Sequence, residues 1–150
     1  MLAGKRTALL SKAALTAVSV FAAVLAVAVP ASSAAPSAAG VVVSPSSGLS
    51  DGAIVTVGVT GFGAGEAVSV SECAGTPGTD TLVCDVVGIK QLTTDTAGAG
   101  STTTTVQKTF QGQDQAGNPV TVDCATVAGG CFIGATDVAL THATAAISFS

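Results

Sequence analysis

From Ala39 onward no stretch of the chain keeps a 3.6-residue apolar period with good helix formers. It alternates instead. Ile54-Val55-Thr56-Val57-Gly58-Val59-Thr60 places apolar and small polar side chains on opposite sides of an extended backbone, as a half-buried strand requires. Ala67-Val68-Ser69-Val70-Ser71 repeats the pattern and runs into Cys73. Ser101 to Val106 is rich in β-branched threonine, which suits a pleated surface. Val120 to Cys124 and Ala145 to Phe149 alternate again. Between these runs lie turn clusters, among them Ser50-Asp51-Gly52, Gly61-Phe62-Gly63-Ala64-Gly65, Asp95 to Gly100 and Ala116-Gly117-Asn118-Pro119. Short strands at regular spacing, with no helical stretch, predict an all-β antiparallel sandwich in preference to a barrel.

The first part of the chain has a different composition. Lys5, Arg6 and Lys12 precede an uncharged apolar run from Ala13 to Val29, and small residues follow around Pro30 to Ala35. A basic start, an apolar middle and a small-residue tail describe a secretory signal peptide. The run of 17 residues is at the lower limit for a membrane span, and the tail favours cleavage over anchoring. Residues 1–33 are therefore expected to be removed by a cut after Ser33 or Ala34. Residues 34–40 would form a flexible N-terminal segment and residues 41–150 a single domain. No second apolar stretch approaches membrane length, so a secreted, extracellular product without membrane attachment is expected, working as a monomer.

Loss of the leader sharpens the charge. Lys90 and Lys108 remain against nine acids, a net charge of −7. Such a surface repels a phosphate backbone, so direct nucleic-acid binding by the protein is not expected. Aromatics at 3%, with no Trp or Tyr, also argue against base stacking.

Four cysteines fit an oxidising compartment, and three pairings are open in principle. Spacing favours the local pairs Cys73–Cys84 and Cys124–Cys131. Gly75, Pro77, Gly78 and Asp80 form turns inside the first, and Gly129-Gly130 inside the second. A metal site is not expected, because no Cys-x-x-Cys occurs and the single histidine is distant.

Catalytic constellations are lacking at the level of motif. His142 follows Asp137 by five residues, but there is no Gly-x-Ser-x-Gly elbow, and an exposed turn residue is the plainer reading of His142. No spacing singles out a glycosidase-type carboxylate pair. Glu72 stands out among the acids because it adjoins a cysteine. Gly61 to Gly65 lacks the Lys-Ser/Thr ending of a phosphate loop, and Asn118 is followed by Pro119, so no glycosylation sequon exists. No enzyme is expected, and a secreted hydrolase has no motif support.

Six segments, kept in order from Val41 to Ser150, carry a resemblance. They are Val43 to Gly52, the first cysteine pair, Thr94-Asp95 with its following Gly/Ala turn, Val106 to Phe110 with Gly112, Thr121 to Thr126, and Ala145 to Phe149. Together they resemble the neocarzinostatin family, the secreted apoproteins of enediyne chromoprotein antitumour antibiotics. The resemblance implies a seven-stranded immunoglobulin-like sandwich with extra β-ribbons and local disulfides. It also implies a cleft that holds a labile enediyne chromophore without a covalent bond, the released chromophore being the species that cleaves DNA. No other cofactor is implied.

Cleft positions carried over from the family fall on Glu72, the Cys73–Cys84 bridge, Leu82, Ile89, Gln115, Phe132, Gly134 and Thr136. The bridge, Leu82, Ile89 and Phe132 would form the floor, and Glu72, Gln115 and Thr136 would supply the polar groups. Gly75 stands at the rim where some members place Trp, and Gln113 and Gln115 stand where aromatics occur in the family. A wide, weakly aromatic cleft is expected, since each aromatic partner adds about 0.5–1.5 kcal/mol for a planar ligand. Two functional readings follow: a carrier of a small hydrophobic, enediyne-type compound, or a chromophore-free secreted interaction module.

Overall fold

The computed structural model describes residues 37–150. The expected leader and residues Ala34 to Pro36 lie outside the described residues.

Ten antiparallel strands build two sheets. The smaller has the order β1 (Gly40–Ser44), β2 (Ala53–Thr60), β6 (Gly100–Val106). The larger runs β10 (His142–Ile147), β9 (Cys131–Asp137), β3 (Ala67–Ala74), β4 (Val83–Cys84), β7 (Thr109–Gln113), β8 (Pro119–Asp123), and β5 (Lys90–Thr93) pairs with the first half of β3. Strands β1, β2 and β6 facing β3, β5, β9 and β10 make the seven-stranded sandwich. Strands β4, β7 and β8 extend the larger sheet as ribbon. β1 begins at Gly40 opposite Thr60, and Ala39 packs on the core.

The core follows the period of two. Val55, Val57 and Val59 of β2 face Val68 and Val70 of β3 and Ile133 and Ala135 of β9, all fully buried. Each large apolar side chain so buried contributes on the order of 1.5–3 kcal/mol. Phe62 and Phe110 complete this layer.

Polar side chains in the recurring segments tie loops to strands. Asp51 Oδ1 accepts the Lys108 amide at 2.8 Å, joining the β1–β2 turn to the start of the ribbon. Thr94 is buried; its hydroxyl donates to Gly63 O at 2.6 Å and accepts the Glu66 amide at 2.9 Å. Asp95 Oδ1 caps the following turn by accepting the amides of Ala97 and Ala99. Gly98 in that turn has φ 73°, and a Cβ there would lie 1.9 Å from Phe62 O, so only glycine fits.

Candidate ligand-binding site

The outer face of the larger sheet is built by the residues that alternate with the core positions. Val68, Val70, Glu72 and Ala74 of β3 point inward, which leaves Ser69, Ser71 and Cys73 outward. On β9 the same parity exposes Phe132, Gly134 and Thr136. Antiparallel register aligns them in rungs. His142, Thr136 and Ser69 form one; Thr144, Gly134 and Ser71 the next; Phe132 and Cys73 the third, continued to Cys84.

Loops raise this face into a cavity of about 520 Å³, within the usual range for small-ligand sites. Pro77, Gly78 and Leu82 come from the β3–β4 connection, Ile89 from the β4–β5 connection, and Leu140 from the β9–β10 turn. Leu140 has φ 64°, a left-handed conformation that costs a non-glycine residue about 1–2 kcal/mol. That turn is held by Asp137 Oδ1, which accepts the Thr141 amide at 2.8 Å. Ser71 Oγ donates to Asp85 O at 2.6 Å, fixing the β4–β5 connection against the sheet.

Both disulfides form the local pairs that spacing favours, and no free cysteine remains. They serve opposite faces. Cys73–Cys84 links directly paired residues on the cavity floor. Cys131 has core parity, so Cys124–Cys131 lies behind the sheet.

Seven of the carried-over positions therefore line one cavity: Cys73, Leu82, Cys84, Ile89, Phe132, Gly134 and Thr136. Three do not. Glu72 follows Ser71 and precedes Cys73, so strand alternation turns it to the core side, where it is 4% exposed. Gly75 turns the chain with φ 89°, and a Cβ there would meet Thr81 O at 2.1 Å, so its lack of a side chain serves the turn and opens no rim. Gln115 sits in the β7–β8 turn, and its amide donates to Thr79 O on the loop that carries Pro77 and Gly78. Ser69, Ser71, Leu140, His142 and Thr144 were missed. For Ser69 and Ser71 the signal was available, as they stand two and four residues from Cys73 on an alternating strand. His142 is exposed, as expected, but it opens β10 and forms part of the cavity wall.

Glu72 has its own chemistry. Its Oε2 accepts the Gln107 amide at 2.8 Å, and Oε1 lies 3.6 Å from Cys124 Sγ. The two sulfurs and the carboxylate come within 4.8 Å of one another, but sulfurs joined in a disulfide offer no thiolate to a metal. Burial pushes the Glu72 carboxyl up to about 7; the Gln107 hydrogen bond opposes this, and the negative charges of Asp85 and Asp51 add to it. The folded value lies above the ordinary 4.5, so the folded state holds the proton more tightly than the unfolded chain. No penalty exists below pH 4.5; it grows as pH rises and is complete above about pH 7. Glu72→Gln should therefore gain stability over the wild type as pH rises from 4.5 to about 8, on the order of 1–2 kcal/mol after solvent screening. Urea unfolding at both pH values checks this; an equal difference at both would contradict it.

A disulfide-stapled β-sandwich whose outer sheet face is walled into one largely apolar cavity is the architecture of a small-molecule binding protein. The chain belongs to the neocarzinostatin family, whose profile matches residues 41–150. It is 42% identical over 108 residues to the antitumor antibiotic C-1027 apoprotein of Streptomyces globisporus, covering 71% of this chain and 73% of that protein. Actinoxanthin of Streptomyces globisporus matches to the same extent, 42% over 108 residues, with 71% and 73% covered. Apokedarcidin, from an Actinomycete species, is 34% identical over 113 residues, covering 74% of this chain and 97% of that protein. The solved structure of macromomycin superposes with a TM-score of 0.67 at 34% identity, covering 75% of this chain and all of that one.

Proposed function

We propose that this protein is a secreted carrier that binds a small, largely apolar antibiotic chromophore of the enediyne type without a covalent bond, and protects it until release. The observation that carries the reading is the cavity of about 520 Å³ on the outer face of β3 and β9, floored by Cys73–Cys84 and Phe132. Its polar side chains, Ser69, Ser71, Thr136, His142 and Thr144, gather on two neighbouring rungs of an otherwise apolar site, where they can fix a ligand's orientation. No carboxylate lines it among the described residues, so it holds no acid pair for hydrolysis. The function is binding, with DNA cleavage belonging to the released chromophore. Without residues 1–33 the net charge is −7, which disfavours contact with a phosphate backbone. The protein is exported by the leader at residues 1–33 and acts as a monomer.

Native mass spectrometry of protein purified from its own host, shielded from light, tests this reading. The expected species starts at Ala34 or Ala35, carries two disulfides and holds one non-covalent small-molecule adduct. Absence of an adduct from a producing culture, together with no uptake of naphthalene-type probes, would overturn it.

A further inference from the structure

A second cavity, of about 320 Å³, opens where β5 and the β4–β5 connection stand across from the unpaired edge of β6. It shares no lining residue with the cavity on the outer face of β3 and β9. Two polar side chains, each more than nine-tenths buried, face into it. Thr104, 4% exposed, has core parity on β6 opposite Val55, and its hydroxyl has no hydrogen-bond partner among the described residues. Asp85 is 9% exposed. Its Oδ1 accepts the amides of Val87 and Gly88 at 2.9 and 3.0 Å, which leaves Oδ2 without a partner. Among the described residues no fully enclosed side-chain oxygen is left unsatisfied, so both atoms open on the cavity they line. Gly88 keeps Oδ2 clear, because a Cβ there would lie 2.3 Å from it, and its backbone is outside the left-handed region. Buried polar atoms without partners are destabilising, and two that face one cavity point to a ligand that completes them.

We propose that this second cavity binds a free amino acid as its zwitterion, with the ammonium on Asp85 and Thr104 and the carboxylate on Lys90. The site is independent of the carrier reading. Lys90 is one of only two lysines or arginines after residue 33; it heads β5 opposite Val70 and lines the cavity. The Asp85 amide donates to Glu72 O at 2.8 Å, which sets Asp85 two residues further along β3 than Lys90. Their backbones therefore stand about 7 Å apart along the strand, and no ion pair joins them. An α-amino acid carries both charges on one carbon and can meet one residue with each end. A simple amine would face Lys90 unpaired, a simple carboxylate would face Asp85, and a neutral sugar would satisfy neither charge. Gln111 Nε2 donates to Thr121 Oγ1 at 2.6 Å, which leaves the Gln111 carbonyl oxygen as a further acceptor for the ammonium. Phe110 and Val87 supply apolar surface for an aliphatic side chain such as that of leucine. The volume stands at the lower end for small-ligand sites, the scale of an amino acid.

Titration of the ligand-free protein with L-leucine, followed by amide chemical shifts, tests the inference. L-Leucine should bind at about 1 mM or tighter. The shifts should centre on the Val87, Gly88 and Gln107 amides and leave Gly134 and Thr136, on the other cavity, unmoved. N-acetyl-L-leucine, which lacks the ammonium, and L-leucinamide, which lacks the carboxylate, should each bind at least about tenfold more weakly. Asp85→Asn keeps an oxygen for the Val87 and Gly88 amides and should also lower affinity at least about tenfold. Lys90→Gln, at an exposed position, should lower it about threefold. Thr104→Val should weaken binding yet leave thermal stability equal or higher, since it removes a hydroxyl without a partner; a merely structural threonine would lose stability instead. Binding that survives both Asp85→Asn and Thr104→Val, or shifts centred on Gly134, overturns the site and leaves the carrier reading standing. N-acetyl-L-leucine or glucose binding as tightly as L-leucine overturns the zwitterion, and no shift at about 10 mM L-leucine overturns the proposal outright.

Discussion

Gly134→Phe is expected to weaken probe binding at least about a hundredfold, on the order of 2.7 kcal/mol, while the protein stays folded. Gly134 lies at the centre of the outer face, between Ser71 on β3 and Thr144 on β10. Its backbone is ordinary strand, outside the left-handed region. A Cβ at this position would sit 3.7 Å from Cys73 Sγ and 3.7 Å from Phe132 Cε2, at normal contact distance. The new ring therefore has room to project into the cavity and take the ligand's place against the floor, and aromatic residues suit strands. Fluorescence titration with naphthalene-2-carboxamide reads the binding, and thermal unfolding reports the fold. Unchanged affinity in a folded Gly134→Phe protein would show that the ligand does not sit on this face.

Removing the two disulfides one at a time should separate stability from binding. The Cys73–Cys84 pair closes a separation of 11 residues and Cys124–Cys131 one of 7, so each double Ala replacement should cost about 2–3 kcal/mol. For a domain of this size that lowers the melting temperature by on the order of 10 °C. Binding should respond to only one of them. Cys73Ala/Cys84Ala removes the cavity floor and frees β4 from β3, so probe affinity should drop at least about tenfold, near 1.4 kcal/mol. Cys124Ala/Cys131Ala perturbs the core side beside Glu72 and should leave affinity within about twofold, well under 1 kcal/mol. Equal losses of affinity in the two variants would place the ligand elsewhere or make binding a mere reflection of stability.

Much of the scaffold was legible because one face of most strands meets water. β2, β3, β6, β8 and β10 were recognisable from alternation or threonine content, with ends shifted by a few residues. β9 was not, and the reason is physical. Cys131, Ile133 and Ala135 face the core while the outward positions Phe132 and Gly134, which line the cavity, are themselves not polar, so the strand loses the polar beat that marks a half-buried one although its burial alternates. β5 places only Leu92 in the core, and β4 has two residues, both too little for a pattern. The terminal strand began earlier than its apolar residues suggested, at His142 instead of Ala145. That shift carried the histidine from a presumed turn to the wall of the site.

By itself the sequence determined the all-β class, the turn positions and the local cysteine pairs, because period, glycine placement and short loop closure are properties of neighbouring residues. It also held the conflict between Glu72 and Cys73, adjacent residues on one strand that cannot face the same cleft. Which of the two faced it was decided only by the tertiary structure. Alternation divides a strand into two sides but does not say which side a distant sheet will cover. That choice came when β1, β2 and β6 closed over Val68 and Val70, sending Glu72 into the core and Cys73 outward. The cavity itself required Ser69, Thr136 and His142 to meet in register across three strands, a long-range pairing for which no local pattern exists.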